Sequence, residues 1–184
     1  MEPFEAHESL SLIEDASQAS RRAIARAGTG YLFIIWGIVW LFGYLGNQLL
    51  AAPALGYLWL GLDSFGILGS IYAIFRQSRH FRTQHSWRMA AFWLLLLANG
   101  GLLLWIAWPL PMERYLMFST ILISMGYGLM GLWMSPVLAL MGVAISLLAV
   151  MGWLLIPAYL GYWLALVGGG GLIAAGLYVM KAWK

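Results

Sequence analysis

The sequence predicts an all-α membrane protein: a six-transmembrane-helix bundle of three in–out–in hairpins, with an N-terminal amphipathic cytoplasmic helix. Three observations carry this. Of 184 residues, 62% are hydrophobic and 9% charged, too little charge to cover a soluble domain of this size. Six apolar runs each approach the roughly 20 residues that a helix needs to cross a bilayer. Threading those runs back and forth places nine of the ten lysines and arginines on one side. Basic residues near span ends stay cytoplasmic, so this asymmetry sets both an even number of crossings and their orientation.

Residues 1–28 form the first of two expected units, a cytoplasmic juxtamembrane segment, and residues 29–184 form the transmembrane domain. Ser11 and Glu14 fit a capping box, with Glu14 and Asp15 in the first turn of the helix they begin. Arg21, Arg22 and Arg26 fall near its end, and Gly28 and Gly30 stop it. Leu12, Ile13, Ala16, Ala19, Ala23 and Ala27 give it a weak apolar face for the membrane surface. It serves either as a docking element for a cytosolic partner or as a topology determinant that grips anionic headgroups. Its five acids, with a following apolar run too long for a signal-peptide core, leave no cleavable signal apparent.

The spans are expected at Tyr31–Leu50, Tyr57–Phe75, Met89–Trp108, Tyr115–Met134, Val137–Ile156 and Tyr159–Val179. Only Ser135 and Pro136 separate the fourth from the fifth. A single helix there would overshoot the hydrocarbon slab about twofold, and proline breaks the hydrogen-bond ladder, so a tight hairpin is expected. Each outward loop holds proline: Pro53, then Pro109 and Pro111, then Pro157. Their even spacing reads either as a parallel hairpin repeat or as the ordinary composition of short loops. Trp59, Trp105, Trp108, Trp153 and Trp163 would band the outer interface, and Trp87, Trp133 and Trp183 the inner one. Trp36, Trp40 and Tyr44 stripe one face of the first span, a packing or lipid-facing surface or the lining of a pocket.

Inside the spans the one acid is Asp63. An ionised carboxylate at a helix centre costs about 2.5–3.5 kcal/mol on insertion scales, so such groups face the bundle or water. Asp63 shares its helix face with Gly56, Trp59, Gly66 and Ser70, and lies at a depth similar to Asn99 on the third span and above Ser124 on the fourth. Asp63, Asn99 and Ser124 are the candidate polar cluster. It has three readings: a proton or cation site, a structural hydrogen-bond clasp, or the wall of an outward-facing funnel.

No lysine, arginine or histidine lies in any span, which removes a bis-histidine haem and leaves Asp63 without a basic partner. There are no cysteines, hence no thiolate metal site and no thiol nucleophile. His80 and His85 sit in the basic loop, off a common helical face and amid arginines that disfavour a metal. No catalytic residue, metal site or cofactor is expected. Arg76, Arg79, Arg82 and Arg88, with Arg21, Arg22 and Arg26, are the candidate headgroup or partner contacts. The positive charge is a matter of topology and gives no reason to invoke nucleic acid.

Small residues four apart recur as Gly66 with Ser70, Ser124 with Gly128, Gly142 with Ser146, and Gly171 with Ala175. Such pairs let helices approach closely. The run Gly168 to Gly171 is either an unwound segment offering carbonyls to an ion, or a point of very tight packing. The function expected is that of a non-enzymatic module of a plasma (bacterial inner) membrane, both termini cytoplasmic. It would act through helix packing and cytosolic-face contacts. Its partners are the lipid bilayer, a cytosolic or membrane protein, or a second copy. The alternative is a small transporter or channel using Asp63.

Overall fold

The computed structural model describes residues 29–51, 53–78, 86–134 and 136–182. The expected N-terminal helix, with Arg21, Arg22 and Arg26, and the loop residues Arg79 and Arg82 lie outside these. The described residues are almost all helical, without a strand: α1 (Thr29–Leu49), α2 (Ala54–Ser78), α3 (Ser86–Ile106), α4 (Met112–Met134) and α5 (Pro136–Leu155). A 3-10 turn over Pro157–Tyr159 then leads into α6, which is α-helical over Leu160–Leu164, π-helical over Ala165–Gly170 and α-helical over Gly171–Ala182. Six helices are thus long and apolar enough to cross a membrane, as in a polytopic membrane protein.

Helix ends differ from the apolar runs by a few residues. The backbone keeps its hydrogen bonds through polar residues that hydropathy discards. α2 runs on to Ser78, α3 starts at Ser86 and α4 at Met112, before Glu113 and Arg114. At α3 the end comes early, at Ile106, because the residues before Pro109 are pushed out of the helical region. α5 opens on Pro136, where a missing N–H costs nothing, two residues after the last residue of α4.

The contacts arrange the helices in two rows, α2–α1–α6 and α3–α4–α5. The rows are joined where α1 meets α4 and where α5 meets α6. Glycines draw the most intimate pairs together. Gly142 of α5 lies against the Ser124 carbonyl and the Gly128 backbone of α4, so the Ser124–Gly128 pair receives Gly142. On α6, a side chain at Gly169 would meet the Leu41 backbone, and one at Gly176 the Gly30 carbonyl of α1. Half of the glycine run therefore serves close approach: Gly168 faces Trp40 and Gly169 faces Leu41, while Gly170 and Gly171 have room. Gly171 with Ala175 is not the groove of α6, since no atom lies within 4 Å of a Cβ at Gly171. That groove is built by Gly168, Gly169 and Gly176.

Candidate functional site

The centre of the bundle, at the α1–α4 seam, is polar. Thr120 and Ser124 are fully buried, and Tyr44 nearly so. Thr120 Oγ1 donates to the Leu116 carbonyl at 2.7 Å. Its one hydrogen is thereby used, so the Tyr44 hydroxyl donates to Thr120 Oγ1 across 2.6 Å. Ser124 Oγ donates to the Thr120 carbonyl at 2.7 Å. Each hydroxyl proton has an acceptor, which an apolar medium demands. This is a clasp between two helices.

Rings surround the clasp on both sides. Trp40 and Trp59 each meet Tyr44 edge-on, with centroids 5.6 and 5.8 Å away. Tyr127 meets Phe33 and Trp93 in the same manner. Trp40 and Tyr44 are buried, so the stripe on α1 is a packing surface. Trp36, the first of the stripe, donates its indole N–H to Ser70 on α2 at 3.1 Å. Gly66 leaves room for the Trp36 ring.

The residues expected to cluster occupy three different settings. Asp63 is exposed on α2, and no hydrogen bond or ion pair involves it among the described residues. Asn99 is exposed on α3, and its Nδ2 donates to the Leu95 carbonyl of its own helix at 2.8 Å. Ser124 is buried and bonded within α4. No hydrogen bond joins the three. Of the basic set, Arg76 and Arg88 are described and exposed at the same end of the helices, with Arg88 5.8 Å from the Trp87 ring centre. Among the described residues, no three of His, Cys, Asp or Glu come together.

Two polar residues of α1 were not singled out from the sequence. Gln48 grips the start of α6 with both ends of its amide: Nε2 donates to the Ala158 carbonyl at 2.8 Å, and Oε1 accepts from the Gly161 N–H at 3.2 Å. Asn47 donates to the Gly43 carbonyl at 2.9 Å, while its Oδ1 is buried without a partner. A glutamine or asparagine at a span end has no pattern that names its partner. No protein-family model, curated protein or solved structure matches this chain.

Proposed function

We propose that this chain is a non-enzymatic module of a plasma (bacterial inner) membrane, with both termini cytoplasmic. It acts by helix packing inside the bilayer and by contacts of its cytosolic face, through residues 1–28 and the Arg76–Arg88 segment. The carrying observation is the unequal cover of its helices. Over the most apolar 18 residues of each helix, only 6% are buried in α2 and in α3, against 44% in α4. These two helices are therefore held mainly by one neighbour each and present most of their surface to whatever lies beside them. The hydroxyl protons at the bundle centre are already given to Thr120 Oγ1 and to the Leu116 and Thr120 carbonyls, which supports a packing role for them over a chemical one. Deleting residues 2–27 should abolish co-purification of a cytosolic or membrane partner. An unchanged set of partners after that deletion overturns the cytosolic-face part of this reading.

A second reading rests on Asp63, exposed and unpaired on a spanning helix. As a proton or cation site of a small transporter, it should make pH-dependent flux in proteoliposomes disappear in Asp63→Asn. Normal flux in that variant removes Asp63 from such a mechanism.

A further inference from the structure

The uncovered side of α2 has a definite shape. One line of residues, Leu55, Trp59, Leu62, Gly66, Gly69 and Ala73, is buried or half-buried, and packs on α1. The neighbouring line, Gly56, Leu60, Asp63, Ile67, Ser70 and Ile74, repeats the same alternation of four- and three-residue steps. That spacing is the seam of a left-handed helix pair. Yet every member except the half-buried Ser70 is exposed: Leu60 at 66%, Ile67 at 52% and Ile74 at 53%. A Cβ at Gly56 would meet nothing within 4 Å, so another backbone can come close there. In the middle of this seam stands the carboxylate of Asp63, about 14 Å along α2 from Ala54 at 1.5 Å per residue. That is near the middle of a hydrocarbon layer about 30 Å thick.

A carboxylate at that depth keeps its charge best beside a cation. The chain does not supply one. No lysine, arginine or histidine occurs in residues 27–75, 89–113 or 115–180, so a second copy brings no cation level with Asp63 either. Arg114, early in α4, lies close to the outer end of its helix, roughly 10 Å shallower.

We infer that the Gly56–Leu60–Asp63–Ile67–Ile74 seam of α2 docks a spanning helix of another protein that carries one lysine or arginine level with Asp63. This rests on the packing-module reading above and gives that module's partner a chemistry. Gly56 admits the partner backbone, Leu60, Ile67 and Ile74 supply the knobs, and Asp63 selects the cation.

The absence of cysteine allows a clean test. The full chain carrying Met112→Cys, an exposed position at the start of α4, takes a donor dye and is reconstituted in phosphatidylcholine–phosphatidylglycerol vesicles. The probes are acceptor-labelled Leu/Ala peptides of spanning length, one with a single lysine about 14 Å from its end, the other with leucine there. Energy transfer should show the lysine peptide binding roughly 3- to 20-fold more tightly, the range of measured polar contacts between membrane helices. Asp63→Asn should remove the preference, and Gly56→Trp should weaken both peptides while the carboxylate stays. Equal binding of the two peptides, a preference that survives Asp63→Asn, or indifference to Gly56→Trp overturns the inference. If the inference fails while a natural partner is still lost on deleting residues 2–27, the module reading stands without it. If that partner also persists, both fall.

Discussion

At the scale of single residues, the strongest statement concerns the clasp between Tyr44 and Thr120. Two hydroxyls 2.6 Å apart, one on a fully buried threonine, join α1 to α4. Polar contacts between membrane helices contribute about 0.6 kcal/mol on average and about 1.7 at most. Tyr44→Phe and Thr120→Val, combined in a double-mutant cycle of unfolding in bicelles, should give a coupling energy in that range. A coupling near zero would mean that the hydroxyls touch without stabilising. The sequence shows this pair only in halves. Tyr44 closes a four-residue rhythm on α1, and Thr120 and Ser124 sit one turn apart on α4, but nothing in either spacing joins residues 76 positions apart. Asp63 was conspicuous by its charge alone, and Gln48 and Asn47 were inconspicuous because amides at span ends are common. Side-chain partnership is decided by the packing of whole helices.

At the scale of elements, glycine is where sequence and packing part company. Four successive glycines look alike in the sequence, but their surroundings differ. A side chain at Gly169 would lie 2.5 Å from the Leu41 nitrogen, whereas none of the atoms around Gly171 comes within 4 Å of one. Gly169→Ala must push two backbones apart and should cost about 1–3 kcal/mol, as overpacking does. Gly171→Ala should be neutral or stabilise by up to about 1 kcal/mol, since alanine favours the helix. Thermal or denaturant unfolding of the two variants in the same detergent checks the contrast. Similar losses in both would mean that the run acts by its flexibility rather than by the contact of α1 with α6. The existence of each helix was legible throughout, because an apolar run of about 20 residues has one use in a bilayer. The ends were less so: hydropathy stops at Phe75, while backbone hydrogen bonding carries α2 to Ser78. The π-helical stretch over Ala165–Gly170 left no mark in the sequence beyond the glycines that permit it.

At the scale of the whole molecule, the charge pattern makes the sharpest prediction. If the six helices cross in turn, nine of the ten basic residues fall on one side, and reporter fusions at Met1 and Lys184 should both report the cytoplasm. Termini in opposite compartments would mean an odd number of crossings and overturn this topology. The number of helices long and apolar enough to cross was readable from composition and spacing. The two-row arrangement was not, because lipid is as apolar as leucine and hydropathy cannot say which face meets a helix. The joining of α1 to α6 was equally hidden, and it bears on how the protein is made. α1 finds its closest companion in α6, with four helices between them along the chain. At about 5–20 residues per second, on the order of ten seconds separates the emergence of Leu49 from that of Gly169. Throughout that wait the glycine-notched side of α1, with Gly30 and Gly37, stands open to lipid or to the insertion machinery. Nascent chains stalled before Gly168 should therefore be the species that quality-control proteases and insertases hold longest.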